Sequence, residues 1–327
     1  MESILISLLC SRATWDRLIA KAPIADYCCP SCLDECEFPG ASGTVTMAYA
    51  GPDLALKGIR PFLDALVRVP SLQWLQTCAA GVEDPVYASL ARQGVKITNN
   101  HATAPAIAEY VMASALDYLQ RGGERRDAAM RREWCRLFFR EVKDSKWFII
   151  GLGAIGREVA IRARAFGAHL TAVRRDRKAD SAVDRVVTYD NFMHLLPEAD
   201  VIVITTALTE QTRDLVDREF LDHLSAGKAV LINVARGQIV DEEALREGLQ
   251  RAQPDFACLD VFAAEPLQED SWLWAHPKVG VTAHAAALGS GVVARSDDLF
   301  LENLHRQVAG KALLNDVTSV LHPSGVV

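Results

Sequence analysis

The chain has 327 residues, room for about two domains, and half of them are hydrophobic against 24% charged, the balance of an ordinary soluble globular protein. A formal net charge of −7 argues against a general affinity for nucleic acid, and no apolar run approaches the ~20 residues of a membrane span. Residues 4–10 (ILISLLC) are apolar, but Glu2 precedes them and no small-residue cleavage site follows. They read as a first strand rather than a signal peptide, so the expected compartment is the cytoplasm. Among the eight cysteines, Cys28, Cys29, Cys32 and Cys36 crowd together and include one C-x-x-C. No second C-x-x-C exists, and adjacent cysteines seldom converge on one metal. They are expected to be reduced thiols, with no metal bound.

In chain order, residues 3–9 read as a strand, 14–22 as a helix and 45–50 as a strand. Ile59, Phe62, Leu63 and Leu66 carry helical spacing over 59–69, and residues 72–77 return to strand. The segment Cys78 to Asp84 (CAAGVED) is then a loop of small residues at a strand's carboxyl end, the edge where open α/β sheets bind ligands. Its backbone N–H groups could face a carboxylate, although a plain connecting loop explains it equally well. Residues 95–98 form a further strand, and Pro105 opens an apolar helix over 106–119. The spacing predicts more helix over 121–140, where arginines alternate with Glu124, Asp127 and Glu133 as on a solvated face or an oligomer contact.

The best-defined unit runs from Lys146 to Lys178. Trp147 to Ile150 is a short continuous apolar run, the mark of a buried parallel strand. It leads into Gly151, Gly153 and Gly156, after which Ile155, Val159, Ala163 and Phe166 take up a helical period and Gly167 closes the helix. Strand, G-x-G-x-x-G turn, helix and second strand (169–173) together form the context that makes this motif a dinucleotide site. Gly151 permits the tight turn, Gly153 lets the backbone approach a pyrophosphate, and Gly156 lets helix and strand pack. The helix start offers N–H groups and partial positive charge to phosphates.

An NAD site places an acidic residue at the end of the second strand. Here that place holds Arg174 and Arg175, followed by Asp176, Arg177 and Lys178. Two guanidiniums can grip a 2′-phosphate that a carboxylate would repel, so NADP is expected over NAD. A merely solvated basic turn is the plain alternative.

The alternation continues with strands at 201–205, 229–233, 256–260 and 279–281, helices near 218–224 and 242–250, and a last helix at 290–308. Such alternation means parallel sheets. Arg236, Glu265 and His284 follow three of these strands and would face the glycine turn's crevice. Histidine suits proton donation near neutral pH, a carboxylate on its other nitrogen would fix its tautomer, and arginine can hold a substrate carboxylate bidentately. Each residue alone also has an ordinary structural explanation.

Taken with AAGVED (79–84), AIAEYVM (106–112), GLGAIG (151–156), INVARG (232–237), LDVFAAEP (259–266) and HAAA (284–287), the chain from about Val45 to Lys311 resembles the D-isomer-specific 2-hydroxyacid dehydrogenases, which use NAD or NADP. The resemblance implies two doubly wound α/β parallel-sheet domains. A Rossmann domain at 102–287 would be inserted into a flavodoxin-like substrate domain built from 1–101 and 288–327. It implies that Arg236 binds and polarises substrate, His284 is the acid/base, and Glu265 orients His284. The backbone of Ala80, Gly81 and Val82 would hold the substrate carboxylate. Gly151, Gly153, Ala154, Ile155 and Gly156 would cradle the dinucleotide, and Arg174, Arg175 and Lys178 would hold its 2′-phosphate. Thr206, Ala207, Val234, Asp260 and His284 would line the rest of the coenzyme, with Asp260 reaching the nicotinamide carboxamide. Ala207 and Ala283 stand where the family usually has proline, which relaxes two backbone constraints.

The expected activity is NADPH-dependent reduction of a small 2-keto acid, glyoxylate- or hydroxypyruvate-like, by a homodimer with no nucleic-acid or membrane partner. One alternative is a phosphoglycerate- or phosphonate-type dehydrogenase, for which Lys57 and Arg60 are the candidate extra cations. Another is a dinucleotide-sensing regulator, to which the C-terminal HPSGVV offers little docking surface.

Overall fold

A computed structural model describes residues 45–52, 54 and 58–321, and residues 3–6 and 26–28 as backbone. The helix expected at 14–22, Lys57, and Cys29, Cys32 and Cys36 lie outside the described residues. The chain divides into two compact units, Met1–Thr103 with Ser290–Val327, and Ala104–Gly289.

In the first unit, β1 (Ser3–Ile6), β2 (Asp26–Cys28), β3 (Val45–Tyr49), α1 (Arg60–Leu66), β4 (Trp74–Gln76), α2 (Pro85–Arg92) and β5 (Lys96–Thr98) follow one another. The strands form a wholly parallel sheet in the order β2-β1-β3-β4-β5. Every residue of β3 and β4 is buried, as expected of a sheet covered on both faces. Leu63, Leu66, Leu75, Leu90 and Ile97 build the core beneath it. Helix α2 has no counterpart in the sequence reading, although its start is well marked. Asp84 caps it by accepting from Val86 N at 2.9 Å, and Pro85 supplies a preset φ in its first turn.

The second unit opens with α3 (Ala104–Leu119) and α4 (Gly122–Met130). The helix expected to run to residue 140 stops at Met130; Arg132 takes φ +58°, and 131–140 carries neither helix nor strand. Then come β6 (Lys146–Ile150), α5 (Ala154–Ala165), β7 (His169–Arg174), β8 (Arg185–Thr188), β9 (Val201–Ile204), α6 (Arg218–Asp222), β10 (Val230–Asn233), α7 (Glu242–Gln250), β11 (Phe256–Leu259) and β12 (Val279–Val281). Strand β8 was not expected; RVVT is too short to show a period of its own.

All seven strands run parallel in the order β12-β11-β10-β9-β6-β7-β8. The chain enters at β6, winds outward to β8, then crosses back to β9, so the order reverses between β6 and β9. Alternate residues of β6 feed the two faces. Phe148 and Ile150 join a core with Ile202, Phe220 and Leu231, while Trp147 and Ile149 join one with Ile107, Val111 and Ile232. Both faces are buried, which explains why this strand reads as an unbroken apolar run.

Finally α8 (Val292–Val308) and α9 (Thr318–Leu321) belong to the first unit. Phe300 stacks on Tyr49 at 4.3 Å between centroids and on Trp74 at 5.3 Å. Asn303 Nδ2 donates to Gln76 Oε1 at 3.0 Å, and Tyr49 donates its hydroxyl to Asp297 at 2.9 Å. An aromatic stack flanked by buried hydrogen bonds fixes the helix on β3 and β4.

Candidate active site

The glycine turn after β6 sits at the reversal of strand order, where open α/β sheets take ligands. Gly151 has φ +100°, and a Cβ there would stand 2.6 Å from Thr206 N, so the turn closes directly against the segment after β9. At Gly156 a Cβ would meet Gly151 O at 2.1 Å and Ile149 Cγ2 at 3.1 Å, which seats α5 on β6. Around Gly153 the space is open, with nothing within 4 Å of a built Cβ. Helix α5 starts there with no side-chain cap and no acidic residue in its first turn. Its first N–H groups, from Ala154 onward, therefore keep their donor capacity for an anion. These features fit a dinucleotide pyrophosphate. Ile155 packs against the core, while Ala154 is half-buried beside the opening.

Further along this edge, Thr205 Oγ1 donates to Gly151 O at 2.6 Å and so ties the glycine turn to β9. Thr206 shares a 2.8 Å hydrogen bond with Tyr189, whose pKa is raised chiefly by burial. Ala207 is exposed, and its carbonyl accepts from Thr212 Oγ1 at 2.7 Å. Val234, expected along the coenzyme, is 7% exposed and packs into the core, which leaves only its backbone to face a ligand.

At the end of β7, Arg174 is held by Asp176, with Nε 2.9 Å from Oδ1. Lys178 N also donates to Asp176, at 3.1 Å. Arg175 is exposed and makes no hydrogen bond or ion pair with the described residues. The two arginines are thus unequal, a difference invisible in the sequence because it depends on how Asp176 folds back.

Arg236, Glu265 and His284 follow β10, β11 and β12, three neighbouring parallel strands, and so share one sheet edge. His284 Nδ1 lies 2.8 Å from Glu265 Oε2, an arrangement in which the ring nitrogen donates to the carboxylate. Its Nε2 has no partner among the described residues and is the nitrogen left for substrate. Glu265 is itself oriented by Phe262 N, which donates to Oε1 at 3.0 Å. His284 has φ +52°, a conformation uncommon for a residue with a side chain.

Three residues that were not singled out in the sequence build this edge. Asn233, fully buried, accepts from Ala235 N at 3.0 Å and donates to Arg236 O at 2.9 Å, clamping the turn that carries Arg236. Arg236 Nη1 donates to Ala235 O at 2.6 Å. Gly237 admits the neighbouring loop so closely that a Cβ would fall 1.8 Å from Phe262 C. Thr282 donates to Asp260 Oδ1 at 2.6 Å, and Ala285 N and Ala286 N donate to the same carboxylate at 2.8 and 3.0 Å. Asp260 is only 2% exposed, and its carboxylate organises the His284 loop from inside.

In the first unit, Asn99 Nδ2 donates to Ala80 O at 2.6 Å and shapes the 79–84 loop. The amides of Ala80, Gly81 and Val82 make no hydrogen bond with the described residues. Arg60 is engaged by Asp64 at 2.8 Å and Asp84 at 2.9 Å, exposed pairs that a second phosphate would have to displace. Among the described residues no group of His, Cys, Asp and Glu could hold a metal, and no helix is long and apolar enough to cross a membrane.

A doubly wound sheet with a glycine-rich phosphate turn, and an imidazole–carboxylate pair on the same edge, defines a nicotinamide-dinucleotide dehydrogenase. The family model for the NAD-binding domain of the D-isomer specific 2-hydroxyacid dehydrogenases matches residues 112–286. The chain is 31% identical over 268 residues to glyoxylate/hydroxypyruvate reductase A of Arabidopsis thaliana, covering 76% of this chain and 79% of that protein. Among solved structures, a D-isomer specific 2-hydroxyacid dehydrogenase family protein from Aeromonas salmonicida superposes with a TM-score of 0.83 at 25% identity, covering 97% of this chain and 98% of the other. The Xanthobacter autotrophicus Py2 enzyme of that family, solved with NADPH and MES, gives 0.78 at 26% identity, covering 98% of this chain and 99% of the other. The chain belongs to the D-isomer specific 2-hydroxyacid dehydrogenases, oxidoreductases that depend on NAD or NADP.

Proposed function

We propose that this enzyme reduces a small 2-keto acid of the glyoxylate or hydroxypyruvate type to the D-2-hydroxy acid with NADPH. The observation that carries the reading is the His284–Glu265 pair, 2.8 Å apart, which leaves Nε2 to hold the proton. The named relative acts on glyoxylate and hydroxypyruvate, which supports the substrate class. NADPH in the Xanthobacter autotrophicus structure, and two arginines at the end of β7, support the phosphorylated coenzyme.

The second unit is the proposed dinucleotide-binding domain and the first the substrate domain. Gly151, Gly153, Ala154 and Gly156 would hold the pyrophosphate, with Arg174, Arg175 and Lys178 at the 2′-phosphate. When bound, the nicotinamide supplies the hydride. Arg236 binds the keto acid and stabilises charge building on its carbonyl oxygen. His284, protonated at Nε2, gives that oxygen its proton, while Glu265 stabilises the imidazolium and fixes the ring. The amides of Ala80, Gly81 and Val82 are the proposed donors to the substrate carboxylate.

The proposed assembly is a homodimer. Met130, Trp134, Phe138 and Phe139 are 76%, 92%, 96% and 47% exposed within one short stretch, and apolar side chains so concentrated mark a contact surface. The cytoplasm is the proposed compartment.

The test is NADPH and NADH consumption against glyoxylate, hydroxypyruvate, pyruvate and longer 2-keto acids, with His284→Ala alongside. Turnover of the short keto acids with NADPH is expected, falling by roughly two to four decades in the variant. Near-normal turnover by His284→Ala would remove the imidazole from the mechanism, and inactivity towards all of these acids would overturn the substrate class.

A further inference from the structure

His284 is fastened at both ends. Its ring is held by Glu265, and its backbone, at φ +52°, lies in the left-handed region that residues with side chains keep only when their surroundings enforce it. The enforcement comes from Asp260, whose main-chain carbonyl accepts from His284 N at 2.8 Å. Its carboxylate receives Thr282 Oγ1, Ala285 N and Ala286 N at 2.6, 2.8 and 3.0 Å, so every one of these donors lies within two residues of His284.

The network continues one step further. The Tyr110 hydroxyl on α3 lies 2.8 Å from Thr282 Oγ1. A carboxylate oxygen can only accept, so the single Thr282 proton is committed to Asp260 and Tyr110 must donate to Thr282. The direction is therefore fixed: Tyr110 to Thr282 to Asp260. Burial raises the Tyr110 pKa, which keeps that donor proton in place. Such chains polarise each member in turn, so removing the first link weakens the ones after it.

We infer that Tyr110 and Thr282, acting through Asp260, are positioning residues that hold the left-handed His284 backbone and aim Nε2 at the carbonyl oxygen. The inference rests on the proposed role of His284 as proton donor. It gives Tyr110 a part in the reaction although the residue sits on a helix 172 positions away in sequence from its hydrogen-bond partner.

Tyr110→Phe tests it, since the variant keeps the ring and removes only the hydroxyl; Thr282→Val removes the next link. In Tyr110→Phe, kcat should fall about five- to tenfold, the value of roughly one lost hydrogen bond, with the KM for NADPH unchanged and the Tm lowered by no more than about a few degrees. The Tyr110→Phe/Thr282→Val double variant should lose less than the product of the two single losses, because both act through one carboxylate. The independent readout is NMR of 15N-labelled histidine, with the His284 ring signal assigned by its disappearance in His284→Ala. That signal should shift or broaden in Tyr110→Phe. An unchanged kcat with an unchanged His284 signal overturns the proposal, and so does a lowered Tm with kcat intact, which would make the contact structural only. If His284→Ala itself kept full turnover, the proton-donor role would fall, while the NMR signal would still report whether Tyr110 holds the residue.

Discussion

Arg174 and Arg175 are adjacent in the chain but not in circumstance. Asp176 draws Arg174 into a local pair, while Arg175 extends into solvent with no partner among the described residues. A 2′-phosphate would meet Arg175 at no cost in broken contacts, whereas Arg174 must first exchange Asp176 for it. Arg175→Ala is therefore expected to raise the KM for NADPH by about ten- to a hundredfold, the range for a lost charge-assisted hydrogen bond, and to leave the KM for NADH within about twofold. Steady-state kinetics with both coenzymes decides this, and equal losses for the two would assign the basic turn to solvent. Gly237 shows a different constraint at the same scale. Arg236 is aimed by Asn233 from below, and by a neighbouring loop that tolerates no Cβ beside it.

At the scale of elements, α5 and α7 make an instructive pair. Helix α7 is closed at its start by Asp241, which accepts from Glu243 N and Ala244 N at 3.0 Å each. Helix α5 begins at Gly153 with no such cap, at the one helix start facing open space beside the glycine turn. A capped start stabilises the fold, and an uncapped one keeps its donors for a ligand. Asp241→Ala should cost about 1 kcal/mol of stability, read as a lower urea midpoint, with KM for NADPH unaffected. A variant with an unmoved midpoint would mean that water satisfies those amides equally well.

At the scale of the whole molecule, the stretch from Met130 to Phe139 concentrates exposed apolar side chains among the described residues. Its spacing predicts a charged helix continuing to residue 140; the chain instead leaves the helix at Met130 and turns its aromatic side chains outward. A paired substitution, Trp134→Ser with Phe138→Ser, is expected to convert the proposed dimer into a monomer in size-exclusion chromatography with light scattering. Retention of the dimer would move the interface elsewhere.

The sequence by itself determined the α/β alternation, the glycine turn and the order of Arg236, Glu265 and His284, because each depends on local period or on a short motif. It could not show β8, which is too short for a period, nor the end of α4, where Arg132 departs from helical φ. It could not show how deeply Val234 and Asp260 are set, because which way a side chain faces at a strand's end is decided by the packed sheet. Only the tertiary structure joined Tyr110 to Thr282 and Gly237 to Phe262, since contacts between residues distant in the chain leave no trace in either residue's neighbours.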